Sequence, residues 1–128
     1  MEHVELTQIA QEHQQLVRLV GDIDMMTSGE VIEKLADAAS AITPPQIAVL
    51  DLSGVGFLSA LGARALCTFN RACALRGVCT YWVAPTGSDT RHIIDLLGFS
   101  DAIPIFDTIE QTRQRNAART APRSPVNF

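Results

Sequence analysis

The sequence predicts a single α/β domain built on a mixed, mostly parallel β-sheet with about four helices. Two runs of strand character open the chain, and helical and strand-like segments alternate after them, the pattern of parallel strands joined by right-handed crossovers. A length of 128 residues fits one cooperative core. Its 47% hydrophobic content against 19% charged residues is a folding composition, not a disordered one.

Val4–Gln11 alternates loosely and Gln15–Ile23 alternates better, so the two read as an opening hairpin. The segment 27–42 then places Val31, Leu35, Ala38, Ala39 and Ile42 at helical spacing. Thr27 with Glu30 three residues on predicts a capping box, and Pro44-Pro45 ends the helix. Ile47–Leu52 is an apolar run broken only by Asp51, as in a central strand covered on both faces. Ser53-Gly54-Val55-Gly56 is expected to turn the chain into a second helix, Ser59 to Arg76. That helix has Leu61, Ala65, Leu66, Phe69, Ala72 and Cys73 on one face and Gly77 beyond its end. Val78–Ala84 is aromatic and β-branched and reads as a strand, turned by Pro85-Thr86-Gly87. Ser88 to Leu97 is a third helix stopped by Gly98. Ala102–Phe106 is a short strand that Pro104 confines to an edge, and a last helix runs from about Thr108 to about Arg119. The domain is expected over residues 1–112, followed over 113–128 by a basic helix end and a flexible tail.

Charge and motif content exclude several functions. The formal net charge is −4, divided as −8 over residues 1–112 and +4 over residues 113–128, where Arg113, Arg115, Arg119 and Arg123 fall. An acidic body lacks the positive field that phosphate backbones require, so no direct nucleic-acid binding is expected. No apolar run reaches the roughly 18 residues of a membrane span, so no direct membrane contact is expected either. The opening MEHVELTQIAQEH has no apolar signal segment and the cysteines are odd in number (Cys67, Cys73 and Cys79), which together predict a cytoplasmic protein. Cys67 and Cys73, six apart on one helix, point to different faces and are expected as core or surface thiols; a redox switch on the three is the less favoured reading. There is no phosphate-binding loop, dinucleotide fingerprint, zinc-protease motif, nucleophile elbow or paired CxxC. His3, His13 and His92 have no partner at triad or metal spacing, and no cofactor or metal is expected. A receiver domain of a response regulator needs a lysine at a strand end, and the single lysine, Lys34, lies inside the first predicted helix.

Two constellations remain. Gly21-Asp22-Ile23-Asp24 lies where the second strand gives way to the first helix; Gly21 permits a tight backbone approach and Asp24 can cap the helix entry. Asp51-Leu52-Ser53-Gly54-Val55-Gly56-Phe57-Leu58-Ser59-Ala60-Leu61-Gly62 runs from the carboxyl end of the central strand into the second helix. In an open α/β sheet the crevice at such strand ends is the expected binding place.

The two stretches, in this order and spacing, resemble the STAS domain, the anti-sigma factor antagonist family of bacteria, and the order of elements matches over about residues 4 to 115. The resemblance implies a STAS-type fold and a cytoplasmic, non-enzymatic binding module. Such a module binds an anti-sigma factor, usually a serine kinase of the histidine-kinase ATPase type, and so frees a sigma factor for transcription. In the family the switch is phosphorylation of a serine at the start of the second helix, and a phosphate placed there adds charge at a tolerant helix N-terminus. Aligned on Phe57 and Gly62, Ser59 falls on the family's aspartate and Ala60, with no hydroxyl, on the phosphoacceptor. Ser59 therefore stands as an offset acceptor or simply as the helix N-cap, with the N-cap favoured.

The expected binding face comprises Asp22, Asp24, Met25 and Met26 with Ser53, Phe57, Leu58, Ser59, Ala60, Leu61, Gly62 and Arg64. The methionine pair offers an adaptable apolar contact or a staple for the helix. An alternative of a different class is a STAS accessory subunit that binds a membrane transporter or its ATPase. A third is a small-molecule sensor or nucleotide binder using the same crevice, and an enzyme ranks last because no activated nucleophile or acid–base pair is present. The sequence leaves open whether the domain forms a homodimer.

Overall fold

The computed structural model describes residues 3–120. Arg113, Arg115 and Arg119 thus lie on the last described helix, while Arg123 and the flexible tail expected around it fall outside the described residues. The chain opens with β1 (Glu5–Gln11) and β2 (Gln14–Ile23), paired antiparallel in one unbroken register from Glu5 opposite Val20 to Gln11 opposite Gln14. Only Glu12 and His13 connect them, and His13 takes the positive φ of 65° that tight hairpins demand. There follow α1 (Ser28–Ser40), β3 (Ile47–Leu58), α2 (Ala60–Leu75), β4 (Thr80–Val83), α3 (Asp89–Leu96), β5 (Ile105–Phe106) and α4 (Ile109–Thr120). A 3-10 turn at Phe99–Asp101, which the sequence reading lacked, leads into β5.

The five strands lie side by side in sequence order, and every pair after the hairpin is parallel. Because each crossover is right-handed and each steps the same way across the sheet, the three connecting helices must fall on one face. They do: Val17, Leu19, Ala48, Leu50, Leu52, Trp82 and Ala84 bury one sheet face against Val31 and Leu35 of α1, Leu66 and Phe69 of α2, and Ile94 of α3. Among the described residues only α4 crosses to the other face, where Leu16, Val49, Tyr81 and Val83 meet Phe106 and Ile109. The N-terminal half of β3 is therefore buried on both sides, as its apolar run predicts. The predicted edge strand is also in place, shortened to Ile105–Phe106, with the Pro104 carbonyl accepting from the Trp82 N–H at 3.0 Å.

Two local expectations are overturned. Ser53–Gly56 is not a turn: β3 continues through it to Leu58, because the ten-residue β2 carries a pairing partner alongside. The pairing slips once between Arg18 and Val20 and again between Gly21 and Asp22, so each bulge inserts one extra residue into β3. Each slip rotates the strand's phase, and the core-facing residues run Ala48, Leu50, Leu52, then Val55, then Leu58. The buried Thr90 hydroxyl of α3 donates to the Val55 carbonyl at 2.9 Å, which satisfies a group inside this bulged segment.

The capping box is the second correction. Thr27 precedes α1 but makes no side-chain cap bond, since its hydroxyl is already taken. It donates to the Asp22 carbonyl at 2.8 Å and accepts from the Asp24 N–H at 3.0 Å. Glu30 turns instead to Lys34 at 2.9 Å and His3 at 3.2 Å, and the Lys34 pairing with His3 beside it holds its carboxyl below the usual carboxylate range.

Candidate functional site

The carboxyl ends of β2 and β3 and the first turns of α1 and α2 converge on one end of the sheet. Asp22 stands opposite Phe57 and Ile23 opposite Leu58 in the parallel register, and the Ser59 N–H closes on the Ile23 carbonyl at 2.9 Å. Helix α2 therefore starts directly against the end of β2. Gly62 makes this approach feasible: a Cβ there would sit 2.5 Å from the Ile23 carbonyl oxygen. Gly21 acts likewise one strand over, at φ 127°, where a Cβ would lie 2.6 Å from the His3 carbonyl oxygen.

Asp24 builds the entry to α1. Its Oδ1 accepts the Met26 N–H at 2.8 Å and the Thr27 N–H at 3.1 Å, an Asx turn that leaves Met25 and Met26 projecting outward. They are 72% and 80% exposed, against 50% for Phe57 and 43% for Leu61. Four apolar side chains thus stand in solvent around a strand–helix junction, where an ordinary surface presents polar groups. Ser59 is the N-cap of α2, its Oγ accepting from the Gly62 N–H at 2.9 Å. Ala60, in the first turn of the helix, is exposed and offers only a methyl group, and Arg64 is exposed one turn further on.

Not every expected residue reaches this surface. Leu58 and Gly62 are buried and shape the face from beneath. Ser53 is exposed on the α4 side of the sheet, beside Asp51, and stands apart from the methionines and Phe57. Asp51 itself is 1% exposed and saturated: it accepts from Arg18 Nε at 2.9 Å, the Ser53 N–H at 3.0 Å and the Ser53 hydroxyl at 2.6 Å. Its place in the motif is explained by holding β2 to β3 next to the first bulge.

The structure adds residues that sequence reasoning missed. Ser28, Ile32, Ala65 and Thr68 join the expected Leu61 and Arg64 in lining a shallow groove of about 270 Å³ between α1 and α2. On the other flank Asp89, His92 and Ile93 join the expected Phe57 and Leu58 in lining one of about 240 Å³. Ile32, 40% exposed, carried a readable signal, being an apolar residue off the core stripe of α1. Among the described residues the sheet has no switch-point crevice at its strand ends. Such crevices arise where strand order reverses and successive helices part to opposite faces, and here the order of the crossovers never reverses. The site is a projecting apolar patch with a groove on either side.

The cysteines lie away from it. All three are free: Cys73 is buried, Cys67 half-buried and Cys79 exposed. Burial pushes the Cys73 thiol up to about 11 and raises that of Cys67. Among the described residues no group of three or more His, Cys, Asp or Glu could hold a metal ion, and no helix is long and apolar enough to cross a membrane.

Comparison with known proteins places this architecture. The STAS domain family matches residues 7–112. Among solved structures, the chain is similar to an anti-sigma factor antagonist from Mycobacterium paratuberculosis, at 22% identity over 88% of this chain and 93% of that one, with a TM-score of 0.76. It is similar also to the Bacillus cell fate determinant SpoIIAA in its phosphorylated form, at 16% identity over 88% and 98% of the two chains and a TM-score of 0.61. A sulfate transporter family protein from Wolinella succinogenes matches at 18% identity over 86% and 89%, with a TM-score of 0.70. At these identities the likeness is one of fold.

Proposed function

The chain belongs to the STAS domain family, and on that premise we propose that it is an anti-sigma factor antagonist, a non-enzymatic module that docks on an anti-sigma factor and thereby releases a sigma factor. The observation that carries this reading is the patch of Met25, Met26, Phe57 and Leu61, held in solvent on a rigid strand–helix junction. Methionine and aromatic side chains set among polar groups suit a surface that is covered and uncovered in turn. The partner is an anti-sigma factor of the histidine-kinase ATPase type, and the protein acts in the cytoplasm by competing for it.

On this reading, regulation at this face differs from the family's serine switch at the start of the second helix, where this chain has Ala60. Ala60 cannot accept a phosphate, and the Ser59 hydroxyl is engaged as the N-cap. Phosphate on Ser59 would bring about −1.5 to −2 charge into the centre of the patch. Without it, the patch stays uncharged at its centre and the antagonist is constitutive.

The test is affinity capture from the native cytoplasm with and without Mg-ATP, using the wild-type chain and Met25→Ser/Met26→Ser as baits. Proteins and phosphate on the bait are read by mass spectrometry. Recovery of an ATPase-fold protein by the wild type and its loss with the variant is the expected result. The transporter-family fold match keeps a second reading in view, and recovery of a transporter subunit in place of an ATPase-fold protein would establish it against the first.

A further inference from the structure

The two edges of the sheet are treated differently. At one end β5 is two residues long, follows Pro104 and has the Arg115 guanidinium stacked 5.5 Å over Phe106, so it offers little edge to a further strand. At the other end β1 spans seven residues, pairs among the described residues with β2 alone, and follows it without a register shift. Natural edge strands are usually blunted by lysine, proline, a bulge or short length. ELTQIAQ has none of these: its one charge is Glu5, at the end. Thr7, Gln8 and Ala10 are exposed, and Ile9 is 38% exposed.

We propose that β1 is a dimerisation edge, pairing antiparallel with β1 of a second copy to give a continuous ten-stranded sheet. The occupant follows from the strand's self-complementarity. A two-fold axis normal to the sheet keeps each face on its own side, so paired residues must share a face, and full overlap then sets Gln8 against the second copy's Gln8. On the helix-covered face Leu6 meets the second copy's Ala10, large against small. On the open face Thr7 meets the second copy's Ile9, and Glu5 meets Gln11. No like charges oppose, and the two Glu5 carboxylates stand six residues apart along the ribbon, roughly 20 Å at strand spacing and beyond a Debye length in physiological salt. Such a ribbon adds about six backbone hydrogen bonds at an edge that otherwise gives those groups to water. The edge lies across the sheet from β5 and leaves the methionine patch free, so this surface is additional to the one proposed for the anti-sigma factor.

The experiment is sedimentation velocity on the full chain over a range of concentrations, with two double variants at exposed positions. In both, Thr7→Glu lies opposite Arg18 within its own molecule. Thr7→Glu/Ile9→Glu places like charges opposite each other across the proposed axis, twice; Thr7→Glu/Ile9→Lys places opposite charges there. The wild type is expected at about twice 13.9 kDa. The Glu/Glu variant is expected as a monomer, at least tenfold weaker in self-association, and the Glu/Lys variant as a dimer that weakens with added salt. Circular dichroism melts of the variants check that the fold is retained. A wild type that stays at the single-chain mass at all concentrations overturns the proposal. So does equal weakening in both variants, or a Glu/Glu variant that associates as well as the wild type.

Discussion

Gly62→Ala is the most direct test of how the site is held. The new methyl group would lie 2.5 Å from the Ile23 carbonyl oxygen and 2.7 Å from Ile23 Cγ2, where ordinary contact begins at 3.4 Å. Helix α2 would have to retreat by about 0.9 Å from β2, and the Ser59 N–H bond to the same carbonyl would stretch with it. Overpacking of this kind costs about 1–3 kcal/mol. A 2.5 Å approach to a backbone atom puts the cost at the upper end of that range, about 2–3 kcal/mol, and alanine's better helix propensity offsets up to about 1 kcal/mol of it, leaving a net loss of about 1–2 kcal/mol. For a chain of this size that corresponds to roughly 4–8 °C in Tm. The assay is thermal unfolding followed through Trp82, the single tryptophan, fully buried against the edge of Phe99. A melting temperature equal to or above that of the wild type would refute the claim that α2 is pressed onto the end of β2.

Three further outcomes follow from the same geometry. Thr90→Val keeps the shape and removes the bond to the buried Val55 carbonyl, so stability should fall by about 1–2 kcal/mol in denaturant titration; no change would mean that the bulge carbonyl has another partner. Alkylation at pH 8 should modify Cys79 first, then Cys67, and leave Cys73 unmodified until the chain unfolds, as its burial and thiol pKa of about 11 require; early loss of Cys73 in a peptide map would contradict the packing of α2. The Thr86 hydroxyl and N–H hold the Asp107 carboxyl below its usual range. A depressed carboxylate stabilises the fold above its unfolded pKa and loses that contribution as pH falls through the folded value. Asp107→Asn should therefore narrow the gap between melting temperatures at pH 7 and pH 3, and an unchanged gap would show the contact to be absent in solution.

The elements with a clear period were legible. The central strand, the helices α1 to α3 and the edge position of β5 follow from apolar spacing and from Pro and Gly at their ends. What stayed hidden in β3 was a matter of phase. Leu50 and Leu52 keep a two-residue spacing, but Val55 and Leu58 follow at intervals of three, and among Ser53, Gly54 and Gly56 that rhythm reads as a turn. Only the long partner strand β2, invisible from local sequence, converts it into a bulged strand. Thr27 failed as a capping box for a similar reason, since the backbone of the β2–α1 connection claims its hydroxyl first. At the site, Met25, Met26, Phe57 and Leu61 are exposed together, whereas the inward turn of Leu58 and the separation of Ser53 depend on the same two bulges. Asp51 was read as part of a motif and is a buried ion-pair partner, a distinction that rests on Arg18, thirty-three residues earlier.

The side-by-side strand order also bears on how the molecule is assembled. Each strand after the first takes its place against the one made just before it, and nothing already laid down must open to admit a later arrival. In chain order the sheet extends at one margin only, and that margin ends at β5, behind Pro104. The opposite margin is β1, whose outer edge is covered by no other strand of the described residues.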